Sequence, residues 1–484
     1  MINVVFVASE AAPFAKTGGL ADVAGSLPKA LNQGTIDGQP VNVKVFMPLH
    51  VKISPSFRDQ MTYLGFTTVN MGWRTQYVGL LTLHYDGVDY YFIDNEFYFK
   101  RHALYGDGDD AERYIYFSKA VLAALKMIEL KPEIIHTNDW HAASVNVLLD
   151  YYRKHDPFYQ GIKTVFTIHN LRYQGVFDPY IMGDLLNLPY EYYHEERLKF
   201  YENINILKGG IVFSDHITTV SKSYAHEITY PYFGENLDGI INKYSHKLTG
   251  IVNGIDYDVY DPETDSNLPV HYTVTDLSNK KIIKKQVQER FGLPVNPDVP
   301  MLSIISRLAD MKGLDLVQHI LDELLTLDVQ LVVLGTGEKR YEDLFKHYQY
   351  MHPNKLSARI FFDQHESHLI YAASDLFLMP SLFEPCGLSQ LIALRYGTIP
   401  VVRQIGGLKD TVIPYNKYTG EGTGFGFMNY NAHELLFTIK EALEYFKDPV
   451  AWPKLMTQAM QADHSWETSS KEYLSVYASL LRKA

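Results

Sequence analysis

Short apolar runs alternate with helix-length amphipathic stretches along this chain, and the alternation runs through twice. Residues 2–8, 43–46, 134–136, 164–168 and 216–220 read as strands with helical segments between them, one of them at 21–31. This is the pattern of βαβ units, which bury both faces of a parallel sheet under helices. Residues 62–93 depart from it: Thr, Val, Tyr and Leu recur there around the turns Met71-Gly72 and Asp86-Gly87, which predicts antiparallel hairpins added to the first domain. A loop-rich boundary at 253–269 carries Asn-Gly, Asp-Pro and Leu-Pro turns and ends the helical periodicity. The pattern then restarts, with strands at 301–305, 330–334, 359–362 and 376–379 and helices near 277–291, 314–325 and 388–395. The last stretch, 432–481, reads as helical with breaks at Asp448-Pro449 and Trp452-Pro453. The expected organisation is an α/β fold with a first domain over 1–255, a second over 256–455, and a helical segment over 456–484 that packs back on the first.

With 484 residues, 46% hydrophobic and 21% charged, the chain has material for two large cores. Its net charge of −12, from 44 basic and 56 acidic side chains, opposes non-specific nucleic-acid binding. The same field repels a phosphate-bearing ligand unless a few focused cations overcome it. No apolar run approaches the roughly 20 residues of a membrane span, and Met1 leads directly into a strand rather than a basic leader. A single cysteine, Cys386, allows no internal disulfide. A cytoplasmic protein is expected.

Two segments carry the strongest chemical signal. Lys16-Thr17-Gly18-Gly19-Leu20 lies where the first strand turns into a helix, so backbone N–H groups point toward an anion. Phe383-Glu384-Pro385-Cys386-Gly387-Leu388 follows the strand at 376–379 and opens another helix, which sets Glu384 at the carboxyl edge of a sheet. Arg307 and Lys312 follow the strand at 301–305 and reach one diphosphate, the first as a planar fork and the second as a point charge. Gly335-Thr336-Gly337-Glu338 lacks the third glycine of a dinucleotide fingerprint and reads as a tight turn near a nucleotide. Asn138-Asp139-Trp140-His141 and His169-Asn170 follow strands and face the same edge. No third ligand stands at zincin spacing, which argues against catalytic zinc. Asp107-Gly108-Asp109 is the pattern of helix-capping acids more than of a metal site. Cys386 has no evident base and reads as a small packed side chain.

Taken together, Lys16 to Leu20, Asn138 to His141, His169-Asn170, Val252 to Asp256, Arg307 with Lys312, and Glu384 to Leu388 resemble the bacterial glycogen synthases and plant starch synthases from end to end. The resemblance implies a GT-B arrangement, two Rossmann-like doubly wound domains facing across a deep cleft. It implies a retaining glucosyltransferase that moves glucose from ADP-glucose to the non-reducing end of glycogen or a maltooligosaccharide, with no metal or other cofactor. By the same resemblance Glu384, His169, Lys312, Arg307 and Asp139 are the catalytic set. Lys16, Gly18, Gly19, Asn253, Arg307, Lys312, Phe362, Cys386, Gly387 and Leu388 bind the donor, with Phe362 against the base. Many retaining transferases carry a second glutamate eight residues after the first; here that position is Ile392, as in the glycogen and starch synthases. The competing expectations are a UDP-glucose-dependent synthase of a small glucoside and a non-catalytic glucan or nucleotide-sugar binding protein. Oligomeric state is not legible in the residues.

Overall fold

The computed structural model describes residues 1–482, and its chain divides into two units, Met1–Gly254 with the returning segment from Trp466, and Ile255–Ser465.

The first unit is built on one large sheet. Its strands are β1 (Ile2–Val7), β2 (Gln39–Pro48), β3 (Thr62–Met71), β4 (Arg74–Tyr85), β5 (Val88–Asp94), β6 (Ile134–Asn138), β7 (Lys163–Ile168), β8 (His216–Thr219) and β9 (Leu248–Gly250). They lie in the order β9-β8-β7-β6-β1-β2-β5-β4-β3, with the short strand Thr35–Ile36 antiparallel to β2. Strands β9 through β5 are parallel, whereas β5, β4 and β3 form the antiparallel extension expected at 62–93. Gly72 and Gly87 make its two turns with φ of 61° and 76°, values that a residue with a Cβ adopts only under strain. The central strands are apolar on both faces because helices cover both, so Val4, Val5, Phe6 and Val7 are all fully buried.

Helix Gly19–Asn32 follows β1 directly. It starts two residues before the expected 21, with Gly18 as its extended cap and no side chain capping it. The last helix, Trp466–Arg482, belongs to this unit and places Trp466, Tyr473 and Tyr477 in its core. Tyr477 is tied in by a hydrogen bond of 2.7 Å to His136 Nδ1, and the other ring nitrogen of His136 lies 2.6 Å from Thr167 Oγ1.

The second unit holds β10 (Met301–Ile305), β11 (Gln330–Leu334), β12 (Leu356–Arg359), β13 (Leu376–Met379), β14 (Ile399–Arg403) and β15 (Phe425–Phe427) in the order β12-β11-β10-β13-β14-β15, all parallel. The outer strands β14 and β15 have no counterpart in the sequence reading. The strand expected at 359–362 runs three residues earlier, because Arg359 turns its guanidinium over the Phe291 and Phe361 rings and the chain leaves the sheet there. Trp452-Pro453 does not break a helix. Pro453 occupies the first turn of Ala451–Gln461, where a missing N–H costs nothing. That helix lies in the second unit, so the returning segment begins at Trp466 and not at 456.

Among the described residues, no helix is long and apolar enough to cross a membrane.

Candidate active site

Each sheet reverses its winding at one place. In the first unit the chain winds outward from β1 through β2 and β5 on one side, and from β6 through β7, β8 and β9 on the other. The crevice between the carboxyl ends of β1 and β6 is therefore the switch point, where open α/β sheets bind ligands. In the second unit the switch point falls between β10 and β13. Most of the polar residues singled out from the sequence stand on these four strand ends or next to them.

After β1 the chain passes Ser9 and Glu10, turns, and enters the helix at Gly19. Glu10 is 3% exposed and sits beneath that turn. Its Oε2 accepts the Thr17 N–H at 2.6 Å and the Thr17 hydroxyl at 2.7 Å, and the Gly18 amide also donates to the carboxylate. Burial pushes the Glu10 carboxyl up to about 7 against these hydrogen bonds, and the nearby Asp22 adds to the effect. Lys16 is exposed on the turn, with Nζ 2.6 Å from Asp22 Oδ1.

After β6, Asp139 opens helix Asp139–His155 with a φ of 54°. Its carboxylate accepts the His169 N–H at 2.8 Å and the Asn170 N–H, which joins the ends of β6 and β7. Burial again dominates and pushes Asp139 up to about 7, with Glu10 contributing from the neighbouring strand end. The Asn138 amide is oriented by its N–H to the Val7 carbonyl at 3.1 Å, so its Oδ1 faces His169 Nε2 at 2.9 Å. His169 therefore carries its proton on Nε2 and keeps Nδ1 as an acceptor. Burial holds it down to about 3, so the ring is neutral. His141, in the first turn of the same helix, packs against the Tyr105 and Tyr114 rings at 4.4 and 4.6 Å and is likewise held neutral. Asn253 is not among these contacts. It follows β9, beyond β8 and β7, where its side chain is buried and its Oδ1 has no hydrogen-bond partner among the described residues.

The second switch point is charged. Lys312 ends a short 3-10 turn, Asp310–Lys312, and its Nζ lies 2.6 Å from Glu384 Oε2. Ser381 Oγ donates to the same oxygen at 3.0 Å. The turn can pass this close to the end of β13 because Gly313 has a φ of 71° and no Cβ, which would otherwise stand 2.0 Å from the Pro380 carbonyl oxygen. Arg307 is exposed just after β10, and its guanidinium has no partner among the described residues. The Gly335–Gly337 turn lies beside it: Leu308 N–H donates to the Thr336 carbonyl at 2.9 Å. Beyond Glu384, Cys386 is buried, and its carbonyl accepts from Gln390 Nε2 at 3.0 Å, as does the Gly387 carbonyl. Leu388 is the cap of helix Ser389–Arg395, and Ile392 is buried inside that helix. Phe362 stands apart from the Lys312–Glu384 pair, in the loop after β12, with its ring 69% exposed.

The acids at 107–110 are explained by cations. Asp107 and Asp110 lie 3.1 and 2.6 Å from Arg113 Nη1, and Asp109 lies 2.7 Å from Arg101 Nη2. Asp109 precedes helix Asp110–Met127 without the side-chain cap expected of it. Glu10 was not legible as a site residue. The available signal was an acid between an apolar strand and a glycine turn, and its burial depends on distant partners: His50 Nε2 holds the Ser9 carbonyl at 2.9 Å and Tyr105 holds the Ser9 hydroxyl at 2.7 Å.

The family model for the starch synthase catalytic domain matches residues 3–243, and that for glycosyl transferases group 1 matches residues 285–454. Over 480 residues the chain is 50% identical to the glycogen synthase of Bacillus cereus (strain Q1), covering 99% of this chain and 100% of that one. This chain belongs to the glycogen and starch synthase family. A glycogen synthase of Desulforamulus reducens is 48% identical over 99% of both chains. The catalytic domain of starch synthase IV from Arabidopsis thaliana, solved with ADP and acarbose bound, superposes with a TM-score of 0.91 at 31% identity over 99% of both chains. Sucrose-phosphate synthase from Thermosynechococcus elongatus shares the fold, with a TM-score of 0.63 at 16% identity and full coverage of both chains. The two units are thus the two domains of a GT-B glycosyltransferase, as the family resemblance implied.

Proposed function

We propose that this chain is a retaining glucosyltransferase that moves glucose from ADP-glucose to the non-reducing 4-hydroxyl of an α-1,4-glucan, elongating glycogen in the cytoplasm. The observation that carries the reading is the Lys312–Glu384 pair at the switch point of the second unit, with Arg307 unpartnered on the adjacent strand end. A diphosphate arriving there meets two cations, one of which is already held by a carboxylate that can turn to the donor sugar.

Departure of ADP leaves negative charge on the β-phosphate and positive charge at the anomeric carbon. Arg307 and Lys312 would stabilise the first, together with Lys16 and the Gly18 and Gly19 amides. Glu384 would hold the sugar hydroxyls and support the second. The neutral His169, with Nδ1 as acceptor, suits a sugar hydroxyl rather than a phosphate, and the buried, unpartnered Asn253 Oδ1 suits the same use. Asp139 would orient sugar or acceptor. Glu384 has no carboxylate partner among the residues assigned above of the kind that retaining hydrolases place about 5 Å away, so retention is assigned to a front-face path. The C1–O bond to phosphate breaks, the C1–O bond to the acceptor forms on the same face, and the 4-hydroxyl proton passes to the departing phosphate oxygen. Phe362 would stack on adenine, and Cys386 to Leu388 would border the donor through their backbone. The charge balance is supplied by the chain's own cations, so turnover is expected to persist in EDTA.

The test is incubation with glycogen and either ADP-glucose or UDP-glucose in EDTA, following nucleotide release and α-1,4 incorporation. Incorporation mainly from ADP-glucose is expected. Preference for UDP-glucose would overturn the donor assignment, and absence of release from both donors would overturn the enzymatic reading.

A further inference from the structure

Glu10 has no part in the chemistry above, yet it is the acid most firmly built into the first switch point. The chain on both sides of it is fixed: Ser9 is held through its carbonyl by His50 and through its hydroxyl by Tyr105, and two residues on, Ala12 N–H donates to the Ala21 carbonyl at 2.9 Å, which pins the loop to the first helix. Gly25 of that helix lies so close that a Cβ there would stand 2.6 Å from the Ala12 carbonyl oxygen. On this rigid base the Glu10 carboxylate grips Thr17 twice and reaches the Gly18 amide, the two residues between Lys16 and Gly19. A Cβ at Gly18 would stand 3.9 Å from Glu10 Oε1, so the backbone of the turn rests directly on the acid.

We propose that Glu10 is a positioning residue for donor binding: it holds the 16–19 turn in the shape that presents Lys16 and the glycine amides to the diphosphate, and it takes up a proton when the diphosphate docks. The inference rests on the donor-site reading above. Its physical basis is that a buried carboxylate and an incoming diphosphate share one short turn. The groups facing Glu10 are Thr17 and Gly18 on the turn, Asp22 on the helix, Tyr105 and Tyr114 from the neighbouring loop and helix, and Asp139 from the end of β6. Lys16, the cation of the turn, is paired with Asp22. When a diphosphate docks on that turn, its own negative charge adds to the field at Glu10. Its carboxyl already titrates near 7, so it responds by binding a proton from solvent.

The experiment titrates ADP into the full chain calorimetrically at pH 7.5 in two buffers of different ionisation enthalpy, for wild type, Glu10→Gln, Glu10→Ala and Asp22→Asn. Wild type is expected to take up a large fraction of one proton. Glu10→Gln should abolish that uptake while keeping ADP affinity within about threefold, because one amide oxygen in the place of Oε2 still accepts from both the N–H and the hydroxyl of Thr17. Glu10→Ala, which leaves Thr17 and Gly18 without their anchor, should weaken ADP roughly tenfold and raise the KM for ADP-glucose more than it lowers kcat. Asp22→Asn should retain the uptake. Wild-type uptake in Glu10→Gln would overturn the protonation, and wild-type affinity in Glu10→Ala would overturn the positioning. The Gln variant preserves the buried shape, so a folding failure of the Ala variant leaves the test standing. Failure of the underlying reading looks different: wild type itself would not bind ADP.

Discussion

The two switch points solve opposite electrostatic problems. In the second unit, Lys312 and Glu384 pair at 2.6 Å with side chains only 19% and 9% exposed, so a cationic and an anionic side chain are matched there. In the first, burial drives polar groups toward neutrality: His136, His141 and His169 are all held down to about 3, while Glu10 and Asp139 are pushed up to about 7. Matched ions suit a leaving diphosphate, and neutral donors and acceptors suit sugar hydroxyls. One α/β design thus offers two electrostatic settings, and what differs is whether each strand end supplies a counter-ion or only desolvation.

Removing the counter-ion is expected to give the largest effect. Lys312→Ala should lower kcat roughly 10²–10³-fold with a smaller change in KM, and leaving Glu384 buried without its partner should cost about 2–3 kcal/mol of stability. Turnover kinetics and denaturant unfolding read these two losses, and wild-type turnover would end the account of the leaving group. A medium effect tests the desolvated side. Between its ordinary 3.8 and about 7 the folded chain holds the Asp139 proton that the unfolded chain releases, so this group's contribution to stability declines as pH rises through that window. Asp139→Asn, which tolerates the positive φ and still accepts one N–H, should melt above wild type at pH 8, lose that advantage by pH 4, and be less active throughout. Thermal melts at the two pH values decide it. The smallest effect falls on the exposed pair: Lys16→Ala should change stability by no more than about 0.5 kcal/mol, since its side chain is 42% exposed, yet raise the KM for ADP-glucose severalfold.

The sequence was most informative where chemistry is local. A glycine turn after an apolar strand identifies a strand-to-helix junction without further help, and the Lys16, Arg307–Lys312 and Glu384 segments lie at such junctions. It was least informative where position depends on distant partners. Phe362 lies outside its expected strand because Arg359 finds aromatic faces contributed in part by Phe291, and Asp109 does not cap because Arg101 takes its carboxylate. The outer strands β14 and β15 are short apolar runs that periodicity cannot separate from buried helix. Glu10 is the sharpest case, since an acid beside an apolar strand looks solvated until His50 and Tyr105 are known to wall it in.

The chain leaves the first unit at Gly254 and returns to it only at Trp466. During translation, every residue of the second unit emerges before the helix that supplies Trp466, Tyr473 and Tyr477 to the first unit's core. The amino-terminal sheet, although synthesised first, must therefore wait with an open flank while the later unit completes itself. A chain released after residue 465 should carry a finished second unit joined to an unfinished first one, the reverse of the usual amino-to-carboxyl order.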